Sequence, residues 1–396
     1  MLLIVPFDAL AFVIILFFLD IETPKTALLA GLKAIDWLGS VLIVGGTVMF
    51  LLGLEYGGVN YPWKSAPVIC LLIFGIVTIG LFFLNEWKLA AHPVMPLRLF
   101  KYRSNIAALM VCACHGTVFI SGAYFLPLYF QAVFSATPIL SGVYLFPFII
   151  TLSLTSMVVG IFIKKTGQYL PPIWFGMFFM TLGFGLFIDL PNHETWARVI
   201  IFQLIAGIGV GPNFQAPLIA LQTLVEPKDI ATATATFGFI RNLSTSISVV
   251  IGGVIFQNGM AKREATLRAA LGPQISQALG GGSAGAATGV VAQLPPQQKA
   301  VATAAYTSSL MTMWIFYVCI AALGLAVSLA IGRQTLSKNH EVQKTGLVEQ
   351  EKARMERKSE DRLKRESKRM SGQQVLNGNP IPGPSGEKVI GPGDEV

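Results

Sequence analysis

Nine segments of this chain are apolar over a length that crosses a lipid bilayer, and no water-soluble domain interrupts them. They fall at 2–19, 38–54, 67–85, 106–130, 138–163, 171–188, 198–221, 231–257 and 309–331. A helix needs about 20 mostly apolar residues to cross roughly 30 Å of hydrocarbon. Within that solvent every backbone N–H and C=O must be satisfied inside the segment or inside a closed barrel. Barrel strands alternate apolar and polar residues, and that period is absent here. The chain therefore reads as all-α, a polytopic transmembrane helix bundle. Its composition agrees: 53% hydrophobic and 13% charged, against roughly a quarter charged in soluble proteins, with a mean hydropathy of +0.63. The first segment reads as a helix rather than a secretory signal. It lacks a basic leader, and Asp20-Ile21-Glu22-Thr23-Pro24 offers no small-residue cleavage site.

Charge sets the expected orientation. Loops 20–37, 86–105, 164–170 and 222–230 hold Lys25, Lys33, Lys88, Arg98, Lys101, Arg103, Lys164, Lys165 and Lys228, whereas the opposite short loops hold only Lys64 and, at a helix edge, Arg198. The basic set belongs in the cytoplasm. Residues 258–308 then form a long outer loop: a short amphipathic stretch over 261–271, a Gly/Ala-rich run and Pro295-Pro296, read as a flexible cover with a little helix. The tail from 333 to 396 is cytoplasmic. Its 349–369 portion suits a solvated helix braced by pairs such as Glu360–Lys364, and 371–396 reads as disordered. Trp37, Trp63, Trp87, Tyr102, Tyr169, Trp174 and Trp196 lie near span ends, where amphipathic rings anchor at the interface.

Several functions are excluded by what the residues lack. The net charge of +8 is scattered over loops and tail and makes no nucleic-acid footprint. No phosphate-cradling glycine loop, Ser/His/Asp set or metal-ligand cluster is present, so no enzyme activity, metal or cofactor is expected. Cys70, Cys112, Cys114 and Cys319 all fall inside spans and read as buried small hydrophobes.

Ionisable and polar groups inside spans are the functional candidates, because hydrocarbon penalises them. Asp8, Asp36, Glu55 and Glu86 sit at or near span ends, where a charge costs little. His115 is mid-span, either bonded inside the bundle or lining a substrate path. Arg241, followed by Asn242, lies about 18 Å into a helix beginning near Asp229. It is read as snorkelling or pairing structurally, or as part of the pathway. The seventh span carries Gln203, Gly207, Gly209, Gly211, Pro212, Asn213, Gln215 and Pro217. Small residues permit close helix approach, the prolines remove backbone bonds and invite a bend, and the amides need partners or a wet cavity. Tyr124 and Gln131 join them as candidate cavity walls.

The residues also carry a resemblance. Gly31-Leu32-Lys33-Ala34-Ile35-Asp36-Trp37-Leu38-Gly39, Pro96-Leu97-Arg98-Leu99-Phe100, Ser121-Gly122-Ala123-Tyr124-Phe125-Leu126-Pro127-Leu128-Tyr129-Phe130-Gln131, and Arg241-Asn242 with the Ser/Thr run after it resemble the fungal fourteen-spanner drug:proton antiporters of the major facilitator superfamily, over roughly residues 1–340. The resemblance implies a layout: 1–20 as the last helix of a first half whose remainder is missing, 21–105 as two linker helices with their cytoplasmic loops, 106–332 as a complete six-helix second half, and 333–396 as the tail. It implies proton-coupled efflux of small amphipathic or hydrophobic compounds by alternating access. The alternatives are a uniporter or importer of the same fold, for a sugar or siderophore-like substrate, or a truncated fragment that does not transport. Implied partners are the lipid bilayer, a small-molecule substrate and protons, with no nucleic acid. The expected form is a monomer in the plasma membrane, or else the vacuolar membrane. Superfamily signatures are weakened. Lys164 stands at an acidic position and Gln168 at an arginine in the loop after Gly160, and Gln203 stands where the antiporter pattern has arginine.

Overall fold

The computed structural model describes residues 9–10, 12–14, 35–57, 61–89, 95, 97–225, 229–280 and 284–333. Two units divide the chain, and the one described below is Lys33–Glu341. Of the other, only residues 9–10 and 12–14 are described, and these are helical. The span over 2–19, with Asp8, lies almost wholly outside the described residues, as do Lys25, Lys33, Lys228 and the tail with its Glu360–Lys364 pair.

Eight helical segments among the described residues are long and apolar enough to cross a membrane. α1 (Trp37–Tyr56) and α2 (Ala66–Lys88) form an antiparallel hairpin. The start of α1 is fixed by Asp36, whose Oδ1 accepts from Gly39 N at 2.8 Å, a side-chain cap for otherwise orphaned donors. A short 3₁₀ turn, Leu97–Lys101, leads into α3 (Arg103–Val133). The next span is α4 (Pro138–Val143) joined to α5 (Phe146–Thr166), which stops at Gly167 with φ 69°, a left-handed cap that glycine adopts freely. α6 (Leu170–Leu186) follows. α7 (Trp196–Val210) and α8 (Ala216–Gln222) make one span between them, and α9 runs over Ile230–Lys262.

The last part of the unit departs from expectation. The described residues of 258–308, expected as an outer loop, are largely helical: α9 continues into them, then come α10 (Glu264–Leu271), α11 (Pro273–Leu279) and α12 (Thr288–Ala292). α13 begins at Pro296 and runs to Ser328, so the apolar segment over 309–331 takes in only its second half. Residues 297–308 are too polar to register as a span, yet Pro295 and Pro296 start a helix well and Ala302, Ala305 and Tyr306 bury one side of it.

The bundle is built around α3 and the α7–α8 span, each 61% buried over its most apolar stretch, against 17% for α2, α5 and α9. The outer helices present large apolar side chains outward, such as Phe74, Met157 and Val158. In lipid such faces carry no penalty, because the tails are as apolar as the side chains. Cys70 and Cys319 belong to those exposed faces, a correction to the expectation that all four cysteines are buried; Cys112 and Cys114 are buried. Among the expected interface anchors, Trp37, Trp63, Trp87, Tyr102, Trp174 and Trp196 are exposed. Tyr169 is not: it is buried, and its hydroxyl donates to Gly332 O at 2.8 Å.

Candidate functional site

The seventh span is broken where its sequence says it must be. α7 ends at Val210, four residues, Gly211–Phe214, form a 3₁₀ turn, and α8 resumes at Ala216. Pro212 has no N–H to return to Ile208 O, and Pro217 none for Asn213 O. The span predicted over 198–221, with a bend expected at its prolines, is therefore two α-helices joined by a 3₁₀ turn.

The three glycines serve close packing on two sides. A Cβ on Gly207 would lie 2.8 Å from Phe148 O of α5. One on Gly209 would fall on the Met180 backbone of α6, and one on Gly211 on Thr155 of α5. α7 is thus wedged between α5 and α6, and residues two apart address alternate neighbours. Gln203 and Asn213 are buried within this packing. Asn213 Nδ2 donates to Gly209 O at 3.3 Å, and neither Asn213 Oδ1 nor Gln203 Oε1 has a partner. Gln215, at the C-terminal side of the break, is exposed.

Two residues from other helices reach the carbonyls that flank the break. His115 of α3 is fully buried, with Nε2 3.0 Å from Val210 O and its ring against Phe119 and Phe214. Arg241 of α9 donates from Nη2 to Phe214 O at 2.9 Å. Its guanidinium lies over the rings of Phe214 at 5.1 Å and Phe237 at 4.9 Å. Among the described residues no carboxylate pairs with it. Ring faces and a carbonyl are the partners this cation has instead. α3 and α9 approach closely here, since a Cβ on Gly116 would meet Arg241 O at 3.3 Å. The half-buried guanidinium is therefore held at the broken stretch, where α9 lies against α3. Asn242 beside it is exposed, and its backbone carbonyl accepts from Thr245 and Ser246.

A second feature lies towards the C-terminal ends of α1, α3 and α9. A cavity of about 530 Å³ opens between these helices and Gly285. Its walls are Ala123, Tyr124, Phe125, Pro127, Leu128, Val249, Val250, Gly253, Val254 and Phe256, and its polar groups are Glu55, Gln131 and Gln257. Gln131 Nε2 donates to Ser141 Oγ at 3.2 Å, and its Oε1 accepts from Thr288 Oγ1 at 3.4 Å. Mostly apolar walls with a few polar groups are the usual make-up of a small-molecule site.

The candidates thus separate into two groups. His115, Asn213, Arg241 and the glycines collect at the bend, whereas Tyr124 and Gln131 line the cavity. Glu55 and Gln257 were missed as wall residues. Each sits near a helix end, where sequence offers no reason to single out a polar residue, and only the juxtaposition of three helices brings them together.

The chain matches the protein family described as "Fungal trichothecene efflux pump (TRI12)" over residues 7–331. It is 53% identical over 348 residues to "Efflux pump dotC" of Dothistroma septosporum, a match that covers 88% of this chain and 60% of that protein. It is 45% identical over 363 residues to "MFS-type transporter ppz2" of Metarhizium majus, covering 92% and 63%, and 35% identical over 230 residues to "Efflux pump FUS6" of Gibberella fujikuroi, covering 57% and 41%. The chain spans about six tenths of the length of the first two of these curated relatives.

Proposed function

The chain belongs to the fungal trichothecene efflux pump family of the major facilitator superfamily, and from that membership we propose that it exports small amphipathic or hydrophobic molecules across a membrane by alternating access coupled to proton exchange. α1 and α2 act as the linker pair, and α3 to α13 as the second six-helix half of a fourteen-span transporter. The protein works as a monomer in the plasma membrane.

The observation that carries this reading is the cavity of about 530 Å³ between α1, α3 and α9, apolar along its walls and polar at one end. It supports a site for molecules with an apolar body and a polar head. Tyr124 and Gln131 are its contact residues. The bend in the seventh span supports a moving part: a helix already broken at Pro212 changes direction without breaking further backbone bonds. His115 and Arg241 steady that bend, with Gln203, Asn213, Gln215 and Asn242 along the path beside it. Coupling to protons and the outward direction rest on family membership.

Reconstitution of the chain into proteoliposomes tests the proposal. Efflux of a lipophilic dye is expected to depend on a proton gradient and to stop when a protonophore collapses it. Efflux that continues unchanged without the gradient would remove the antiport step.

A further inference from the structure

The polar groups of the cavity include one carboxylate, that of Glu55. Glu55, the next-to-last residue of α1, is exposed and lines the cavity. It is absent from every ion pair and hydrogen bond among the described residues. Gln257 Oε1 is buried and likewise unpartnered. Gln131, by contrast, is engaged on both its nitrogen and its oxygen. Among the free groups Glu55 carries the charge: its carboxylate is an acceptor only, which a bound molecule satisfies by supplying donors, whereas the Gln257 amide and the Tyr124 hydroxyl can each accept or donate.

Helix dipoles reinforce the sign. α1, α3 and α9 are alternate members of an up-and-down succession, so their C-terminal ends lie at the same end of the bundle. Glu55 and Gln131 both fall in the last turn of their helices, where unsatisfied carbonyls carry negative partial charge. Lys262 and Arg263 close α9, but neither lines the cavity, and Arg263 is turned to Gly259 O at 2.8 Å. Along the walls, Ala123 to Gln131 and Val249 to Gln257 each cover about two turns, roughly 12 Å of mostly apolar surface.

We infer that Glu55 of α1 is a specificity-determining residue: it selects amphipathic molecules whose polar end is cationic and carries N–H donors over neutral apolar ones. The inference rests on the proposed role of the cavity. It gives the linker hairpin a part in recognition, since Glu55 is the group that α1 contributes to the site.

Binding of two dyes to the chain in neutral-lipid nanodiscs tests this, with empty nanodiscs subtracted. Ethidium is a cation bearing aryl amine donors; Nile red is neutral and has none. Glu55→Gln is expected to weaken ethidium by about tenfold, the loss of one charge-assisted hydrogen bond, and to leave Nile red within about twofold. Glu55→Lys should weaken ethidium further and still spare Nile red. Gly253→Trp fills the cavity from a position where an added Cβ meets nothing within 4 Å, and should reduce both dyes. If Gly253→Trp blocks both dyes while Glu55→Gln changes neither, or lowers both alike, the role of Glu55 is refuted and the cavity stands. If the unaltered chain binds neither dye, or Gly253→Trp leaves both unchanged, the cavity reading fails and this inference with it. Unchanged elution and thermal unfolding of each variant show that folding is not the cause.

Discussion

Arg241 Nη2 donates to the carbonyl of Phe214 at 2.9 Å, from α9 onto the broken stretch between α7 and α8. With His115 on Val210 O at 3.0 Å, the four residues of the break are held at both ends by side chains from other helices. Wherever a helix is interrupted in hydrocarbon, its carbonyls need such partners, because no water is at hand to replace them.

Arg241→Ala is therefore expected to destabilise the bundle. It leaves Phe214 O without its donor, at a cost of about 1–3 kcal/mol, and removes a cation from two ring faces. A thermal-unfolding measurement in detergent should show a fall of several degrees. Arg241→Lys should recover only part of it, since an ammonium cannot both stack flat on the rings and reach the carbonyl. If Arg241→Ala unfolds like the unaltered chain, the clamp is not structural. Normal stability and normal transport together would leave Arg241 with neither role.

The glycines of α7 give a sharper contrast. Gly209→Ala sets a methyl into the Met180 backbone, which cannot yield as a side chain could. Overpacking of this kind costs about 1–3 kcal/mol or more, so folded yield by fluorescence-detected size exclusion should drop steeply. Gly160→Ala on α5 meets nothing within 4 Å and should be neutral or slightly stabilising, because alanine is the better helix former. Equal yields from both variants would show that α7 is not wedged between its neighbours.

Asp36 has a structural task that its position at a span end conceals. Its Oδ1 caps α1 through Gly39 N, and its Oδ2 accepts from Asn85 Nδ2 of α2 at 2.7 Å. Asp36→Ala removes a cap worth about 1 kcal/mol and leaves the buried Asn85 amide unpaired. The α1–α2 hairpin should then become a site of fast proteolysis at its base. Asp36→Asn keeps one acceptor oxygen, enough for the cap on Gly39 N but not for Asn85 Nδ2 as well, and should be digested at a rate between those of Asp36→Ala and the unaltered chain. Digestion of Asp36→Ala at the original rate would mean that the hairpin holds by apolar contact alone.

These residues mark what sequence can and cannot reveal. The span over 106–130 is found at Arg103–Val133 because apolar length is a property of one segment by itself. The break in the seventh span is equally local, since Pro212 and Pro217 remove their own donors. Partners are another matter. His115 and Val210 are 95 residues apart, and nothing in either neighbourhood names the other. Gly207, Gly209 and Gly211 announce close approach but not that α5 and α6 take alternate glycines. The first half of α13 escaped because its residues are small and polar, and burial against neighbouring helices rather than hydropathy makes it helical. Glu55 looked like a charge at a membrane edge until α3 and α9 were set beside it.

Tyr317 ties three helices and allows the ring and the hydroxyl to be weighed separately. Its OH donates to Ser248 O at 2.7 Å, and Ser248 Oγ in turn donates to Thr117 O at 2.7 Å, linking α13, α9 and α3. The ring is fully buried and lies against Phe125, Trp314 and Phe316. Hydrogen bonds between membrane helices average about 0.6 kcal/mol, whereas emptying an aromatic site costs about 3–5 kcal/mol. Tyr317→Phe should therefore lower the unfolding temperature by only a degree or two, at about 2–4 °C per kcal/mol for a chain of this order of size. Tyr317→Ala should lose most of its folded yield. If Tyr317→Phe is as damaging as Tyr317→Ala, the link through Ser248 rather than ring packing holds α13 in place.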